Sequence, residues 1–330
     1  MTTLWDVTGT DVVKALAAER RQSGSVSSGL ALTLVAVVDE KLVAEAEQAA
    51  TSAAAQHPCR LLVVVRRRPD APEPRLDAEV SVGGRLGPGE AVVMRMYGRL
   101  ALHAESVVLP LLAPDAPVVT WWFGEPPHEI AHDPLGVVAD RRITDATSAG
   151  DPVAALQRRA QDYAPGDTDL AWSRTTLWRG LCASAFDSMD GAPQSVLVAG
   201  EASNPSRLLL GGWLGRRLGV TPAYEDTPGP GITGVRIGLD DCELGISRTD
   251  GRSATLSRTG QPDRAMPLPR RELGDLLAEE LRRLDADETY AEALETATGA
   301  RDLSARPTQR THVWQDPATD QDPDPALTVS

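Results

Sequence analysis

The sequence lacks any apolar stretch near the ~20 residues that a membrane-spanning helix needs, and its first residues, "MTTLWDVTGTDVVKAL", lack the basic and apolar segments of a secretory signal. Cysteine is also scarce. Cys59, Cys182 and Cys242 are widely spaced and form no CxxC motif. An odd, sparse set argues against a disulfide framework and fits a reducing compartment. We therefore expect a soluble, cytoplasmic protein without a membrane partner.

Basic charge is in short supply as well. The 33 Lys and Arg residues face 47 Asp and Glu, for a formal net charge of −14. Proteins that bind nucleic acid normally present a basic face to the phosphates, so we expect no nucleic-acid partner. Aromatic residues make up only 4% of the chain, and seven of them are tryptophans. Each tryptophan therefore needs a structural or functional reason.

The 330 residues suffice for two ordinary domains. Apolar runs at 29–38 and 59–68 predict strands buried on both faces, with a helix between them at 39–56. Residues 99–112 predict one further helix. The second half repeats the alternation, so we predict an α/β fold: two α/β domains with mixed sheets flanked by helices, and a disordered C-terminal tail. We place the domains at 1–165 and 166–300 and the polar, Pro/Asp-rich tail at 301–330.

One motif suggests a metal site. His128, Glu129 and His132 fit the H-E-x-x-H pattern of zinc peptidases, which needs both histidines on one face of a helix and a third ligand. Pro134 leaves under two helical turns for such a site, and no third ligand stands at a patterned spacing. We interpret the match as chance within a loop and expect no metal.

No catalytic set is recognisable either. "GPGITG" at 229–234 fits the glycine pattern of dinucleotide sites, but it leads into a predicted strand where that site requires a helix. Cys59 and Cys182 fall in predicted core segments, and Cys242 lies between two acidic residues that disfavour its thiolate. We therefore predict neither catalytic residues nor a cofactor.

The segments around the H-E-x-x-H match carry more information. Trp121 and Trp122 are adjacent, so a strand would point them to opposite faces, one to the core and one to a cleft or partner. The charged run "ADRRITDA" at 139–146 follows a predicted strand. It is either a solvated cluster of ion pairs with little energetic weight or a polar recognition surface beside an aromatic anchor.

Three segments, "VVTWWFGEPP", "DPLGVVADRRITDA" and "DLAWSRTTLWRGLCASAFD", resemble the bacterial glucose-6-phosphate dehydrogenase assembly proteins, the OpcA family. The likeness extends over roughly residues 1–300 in the same order. It implies a non-catalytic protein that binds glucose-6-phosphate dehydrogenase, promotes its active oligomer and activates it allosterically. Such a protein supports the oxidative pentose phosphate pathway and the supply of NADPH.

The resemblance also directs attention to residues for binding this partner. Trp172 and Trp178 are six residues apart, so a continuous helix would point them in different directions and at least one should be core. The predicted partner-binding residues are Trp121, Trp122, Asp133, Asp140, Arg141, Arg142, Asp145, Trp172, Arg174, Trp178 and Arg179.

Two other classes of function stay open. One is a metabolite sensor that binds a small molecule at the carboxyl ends of its strands. The other is an enzyme, either zinc-dependent or acting on a sugar phosphate, with the Arg/Asp run as a phosphate clamp.

Overall fold

The computed structural model describes residues 1–23, 29–83, 89–130, 133–187, 189, 191–248 and 250–307. Contacts divide them into two compact units. The first contains residues 1–123 and 129–140, and the second contains residues 124–128 and 141–307. The part of the predicted tail from residue 308 onward lies outside the described residues.

In the first unit, parallel strands form the centre of the sheet. Its strands are β1 (Thr2–Leu4), β2 (Leu32–Val38), β3 (Cys59–Arg67), β4 (Arg75–Val82), β5 (Glu90–Tyr97) and β6 (Val118–Phe123). They pair in the order β1-β4-β5-β3-β2-β6, and β5, β3, β2 and β6 run parallel. The apolar runs of β2 and β3 are buried along almost their whole length, as expected for a sheet covered on both faces.

The helices of the first unit are α1 (Gly9–Ser23), α2 (Val43–Ala54), α3 (Arg99–Leu102), α4 (Glu105–Val108) and α5 (Pro134–Val137). The prediction of one helix over 99–112 is wrong. The chain leaves helical geometry at His103, whose carbonyl accepts hydrogen bonds from the backbone N–H and the hydroxyl of Ser106. A serine that bonds to nearby backbone in this way competes with a continuous helix.

The second unit has its own six-stranded sheet and, besides it, a parallel pair of strands. The pair is β7 (Arg141–Thr144) and β8 (Asp167–Asp169). The sheet contains β9 (Pro193–Gly200), β10 (Pro222–Asp226), β11 (Ile232–Leu239), β12 (Glu243–Arg248), β13 (Ser253–Arg258) and β14 (Gln261–Pro267), in the order β10-β9-β11-β12-β13-β14. Only β9 and β10 are parallel among its pairs, so the sheet is mixed.

Six helices complete the second unit: α6 (Pro152–Gln161), α7 (Leu170–Ser173), α8 (Thr176–Phe186), α9 (Pro205–Leu218), α10 (Leu273–Arg282) and α11 (Glu288–Thr298). The side chains of Asp151 and Asn204 accept hydrogen bonds from the first turns of α6 and α9, each followed by proline at the first helical position. The predicted α/β class with mixed sheets is confirmed. No helix among the described residues is long and apolar enough to cross a membrane.

Candidate functional site

The tryptophan pair lies inside the first unit. Trp121 and Trp122 belong to β6 and have 0% and 2% of their surface exposed. Trp121 packs near Phe123, with 4.9 Å between ring centroids, as residues two apart on one strand face should. The expectation that one indole faces a cleft is wrong, because both faces of β6 are covered. Whether either residue contributes to binding a partner stays a prediction.

The "DPLG" segment covers part of β6 at Trp122. Asp133 caps α5 by accepting a hydrogen bond from the N–H of Leu135 at 2.9 Å, and Pro134 occupies the first helical position. The Asp133 carboxylate also accepts two hydrogen bonds from Arg66, at 2.6 and 3.0 Å. Asp133 is therefore a buried structural anchor in this conformation. α5 brings Gly136 so close to β6 that an added Cβ would stand 3.3 Å from the ring of Trp122.

The H-E-x-x-H match does not form a zinc helix where it is described. His128 and Glu129 lie in irregular backbone, and the next helix begins only at Pro134; His132 lies outside the described residues. The carbonyl oxygen of His128 accepts a hydrogen bond from Arg159 at 2.6 Å. Nowhere in the described ranges do three His, Cys, Asp or Glu side chains gather in a way that could hold a metal ion.

The arginines of "ADRRITDA" are buried and paired. Arg141 donates to the carboxylate of Glu280 at 2.6 Å and to the carbonyl oxygen of Asp285 at 2.9 Å. Arg142 is paired with the carboxylate of Asp167. The interpretation as a solvated cluster is therefore wrong for these two side chains, and a role in recognising a partner stays a prediction. The sequence could not show this, because Glu280 lies 139 residues away from Arg141.

The acidic residues of the run differ from one another. Asp140 is exposed, and its carboxylate accepts a hydrogen bond from the N–H of Val118 at 2.8 Å. Asp145 is buried and accepts two hydrogen bonds from Arg174, at 2.8 and 2.7 Å. Thus Arg174, from the "DLAW" segment, and Asp145, from the charged run, form one bidentate ion pair within the second unit.

Asp169 is the centre of the buried network. Its carboxylate accepts hydrogen bonds from the N–H groups of Ala146 and Ala171 and from the hydroxyl of Thr144 at 2.7 Å. It thereby joins β7, β8 and the start of α7. Burial, assisted by the nearby charge of Asp145, raises the pKa of Asp169 to about 6.

This raised pKa predicts a pH dependence of stability. The folded chain binds a proton at Asp169 below about pH 6, whereas the unfolded chain binds it only near the ordinary aspartate pKa of 3.8. The contribution of Asp169 to stability is therefore fully present below the unfolded pKa and is lost as pH rises towards 6. In Asp169→Asn, whose amide keeps an oxygen for the two N–H donors, this contribution should be absent. Urea unfolding from pH 4 to 7 measures the difference in free energy, and a difference that does not change with pH contradicts the assignment.

Both tryptophans of "DLAWSRTTLWR" are buried, each at 2% exposure, and each is covered by an arginine. The indole N–H of Trp172 donates to Asp287 at 2.8 Å, and the guanidinium of Arg179 lies 3.7 Å from its ring centroid. Trp178 has the guanidinium of Arg248 at 5.1 Å. The prediction that at least one of the two tryptophans is core is confirmed, and both are core. They need not point in different directions, because α7 ends at Ser173, α8 begins at Thr176 and no continuous helix links them.

Several of these residues line an open cleft in the second unit, which we name the Trp172 cleft. It has a volume of about 590 Å³ and is lined by Arg141, Trp172, Thr176, Arg179, Glu279, Glu280 and residues 282–283 and 285–289. Of its buried residues, Arg141 and Trp172 belong to segments that carried the family resemblance, whereas Glu280 belongs to α10. Its exposed residues include Arg282, Arg283, Asp285 and Glu288, which sequence reasoning missed. Nothing in the sequence places the end of α10, at Arg282, beside Trp172.

Trp5 is another exposed residue that sequence reasoning missed. Its side chain is 65% exposed, the most of any tryptophan that the structure describes. The signal was present, since Trp5 stands outside every apolar run. The cysteines behave as predicted for core residues at Cys59 and Cys182, where burial raises the pKa of each thiol to about 12 and disfavours the nucleophilic thiolate.

Two family models match consecutive parts of the chain. Both describe a glucose-6-phosphate dehydrogenase subunit: residues 50–161 match its N-terminal domain, and residues 165–294 match its C-terminal domain. The Trp121–Trp122 pair and the charged run fall in the first match. The segment with Trp172 and Trp178 falls in the second.

Individual relatives are more distant. A Synechocystis sp. protein named OxPP cycle protein OpcA is 27% identical over 198 residues, which are 54% of this chain and 41% of that protein. The chain thus aligns with less than half of that relative's length. Among solved structures, an oxidoreductase from Sinorhizobium meliloti aligns over 84% of this chain and 91% of its own, with 11% identity and a TM-score of 0.40.

Proposed function

Because the chain belongs to the OpcA family of glucose-6-phosphate dehydrogenase assembly proteins, we propose that it binds glucose-6-phosphate dehydrogenase in the cytoplasm and promotes its active oligomer. It acts as a non-catalytic allosteric activator and so supports the oxidative pentose phosphate pathway and the supply of NADPH. The observation that carries this proposal is the pair of consecutive family matches, which together span residues 50–161 and 165–294.

The use of the charged motif residues supports a non-catalytic role. Arg141, Arg142 and Asp145 are each engaged by a partner inside the chain. Since these three side chains are engaged within the fold, we assign them neither proton exchange with a substrate nor a clamp on its phosphate. These three side chains therefore stabilise the fold. We assign the contact with the dehydrogenase to exposed side chains that surround them.

The activation itself follows from differential binding. The protein can raise dehydrogenase activity only by binding the active conformation or oligomer more tightly than the others, and the shift cannot exceed that difference in affinity. A tenfold shift in the population requires about 1.4 kcal/mol of differential binding free energy. Such a difference is within the reach of a few interface residues.

We place the docking surface at the Trp172 cleft, and the dehydrogenase is its proposed occupant. Arg282 and Arg283 are exposed at the end of α10, and both line the cleft beside the buried Trp172. An interface with a rigid aromatic centre and a charged rim uses the rim to steer and orient the partner. This placement keeps Arg141, Trp172 and Arg179 as supporting residues of the binding site.

The test measures dehydrogenase activity and complex size with and without this protein, using the dehydrogenase of the same organism. We expect a larger complex and higher activity. Replacing Arg282 and Arg283 together by alanine should weaken binding by roughly two- to tenfold, because exposed charges each contribute a fraction of a kcal/mol to 1 kcal/mol.

Arg216 and Arg264 provide a matched control. Both are exposed arginines of the second unit, at the end of α9 and in β14, and neither lines the Trp172 cleft. Their double alanine variant removes the same charge and should bind normally. No co-migration and no change in activity with the unaltered protein would refute the proposed function. Equal losses from both double variants would refute only the docking surface.

A further inference from the structure

A second cavity in the second unit has an unusual charge. It has a volume of about 240 Å³ and lies where α9 begins, beside β11, β12 and the segment before α10. Four of its lining residues are arginines, and none of the residues described there is acidic: the arginines are Arg174, Arg248, Arg270 and Arg271. A positively charged pocket is unexpected in a chain with a net charge of −14. We call it the arginine pocket.

Two of the four arginines are not neutralised. Arg174 is paired with Asp145, and Arg271 with Glu279. Arg248 and Arg270 instead donate to backbone carbonyls, Arg248 to Leu268 at 3.3 Å and Arg270 to Pro230 at 2.8 Å. Neither has a salt bridge within the described chain. The pocket therefore holds two guanidinium charges that lack a bound carboxylate.

The side chain of Arg248 is held in place by its packing against Trp178. Its guanidinium lies 5.1 Å from the ring centroid of Trp178, and its Nε is buried without a hydrogen-bond partner. Burial and the repulsion of Arg270 lower the pKa of Arg248 to about 10, against the attraction of Asp250. The group is still a cation at neutral pH, and the lowered value reflects the cost of leaving its charge without an anion.

The start of α9 adds a second, independent feature. Asn204 is the N-cap of this 14-residue helix, and its side chain already accepts a hydrogen bond from the N–H of Arg207. Pro205, the first helical residue, has no N–H, so Ser206 is the first residue of the helix that offers the pocket a backbone donor. Ser206 also lines the pocket. It is only 3% exposed, and its Oγ has no hydrogen-bond partner among the described residues. A buried hydroxyl without a partner in the chain is costly, and this one lines the pocket, where it can donate to a bound group.

The glycine motif "GPGITG" also finds a place here. It does not bind a dinucleotide in the usual way, because β11 follows it and not a helix. Yet its residue Gly231, which has a φ of +76°, lines the arginine pocket with Ile232. Only the absence of a side chain lets this backbone turn easily, and an added Cβ would stand 3.4 Å from a guanidinium nitrogen of Arg270.

We propose that the arginine pocket binds the phosphate group of a small phosphate monoester, held by Arg248, Arg270, the hydroxyl of Ser206 and the N-terminal end of α9. Guanidinium groups and a helix N-terminus are the donors that phosphate prefers. The volume lies below the ~300–1,000 Å³ of pockets for drug-sized ligands, so it suits a phosphate with a small organic part and excludes a whole dinucleotide. This proposal does not depend on binding the dehydrogenase.

Calorimetric titration of the full chain tests it, with inorganic phosphate, glucose 6-phosphate and AMP as probes and sodium chloride at matched ionic strength as the blank. We expect saturable binding of at least one probe and none of chloride. The probe that binds most tightly shows whether the bound phosphate group comes from free phosphate, a sugar phosphate or a nucleotide. Because no dehydrogenase is present, failure here leaves the proposed function untouched.

Variants assign the binding to this pocket. Arg270→Gln and Arg248→Met should each weaken binding by about tenfold or more, the effect of losing a charged hydrogen bond. Arg264→Gln, an exposed arginine of β14 that does not line the pocket, should bind normally. If Arg248→Met does not fold, the exposed Arg270 alone decides the result. No saturable binding of any probe, or binding that Arg270→Gln leaves unchanged, would overturn the proposal.

Discussion

Replacing Arg141 by alanine is expected to lower the free energy of unfolding by about 3–5 kcal/mol, the usual cost of removing one partner from a buried ion pair. Arg141 and Glu280 have only 4% and 5% of their side chains exposed. Without Arg141, the carboxylate of Glu280 keeps one donor, the hydroxyl of Ser173 at 2.5 Å, and its charge is left buried. The carbonyl oxygen of Asp285 loses its donor as well.

Urea unfolding of the purified chain measures this change. Arg264→Ala removes an exposed arginine from the same unit and should alter the free energy of unfolding by no more than about 0.5 kcal/mol. The double variant Arg141→Met with Glu280→Leu tests the cause. Because it removes both charges and keeps the volume, it should recover much of the lost stability. If Arg141→Ala is as stable as the control, the ion pair is not buried in solution.

The sequence predicted helix starts and buried strands well, because residues next to one another in the chain determine them. At Asp151 and Asn204, a polar N-cap residue followed by proline marks a helix start directly in the sequence. The predicted start of the helix at 39–56 has no such proline, and the side chain of Asp39 makes no capping hydrogen bond. The buried strands β2 and β3 were equally clear, because a sheet covered on both faces requires a continuous apolar run.

Burial of the charged motif was not predictable in the same way. A run such as "DRRITD" shows charge but not solvation, and solvation depends on partners far along the chain. Glu280 and Asp287, which pair with Arg141 and Trp172, lie 139 and 115 residues away from them. The same limit applies to the arginine pocket, since α9, β12 and the segment before α10 meet only in the folded unit. The sequence marked these motifs as unusual, and the structure shows which of their side chains are buried and paired.

The largest steric effect is expected at Gly136, where alanine should destabilise the chain by about 1–3 kcal/mol or more. A Cβ at this position would overlap the carbonyl oxygen of Ile130 and approach Cη2 of Trp122 to 3.3 Å. The oxygen belongs to backbone and cannot rotate away, so α5 and the backbone at Ile130 must move apart. That movement would loosen the packing of Trp122 and weaken the bidentate contact between Asp133 and Arg66.

Gly180→Ala is the matched control because it makes the same chemical change with the opposite expected sign. Gly180 lies within α8, is exposed, and has no atom within 4 Å of an added Cβ. Alanine there should stabilise the chain by roughly 0.5–1 kcal/mol, since glycine costs conformational entropy in a helix. Urea unfolding followed by tryptophan fluorescence compares the two variants. Opposite signs would show that the "DPLG" segment requires glycine for steric reasons, whereas stabilisation by both would mean that α5 does not pack this closely on β6.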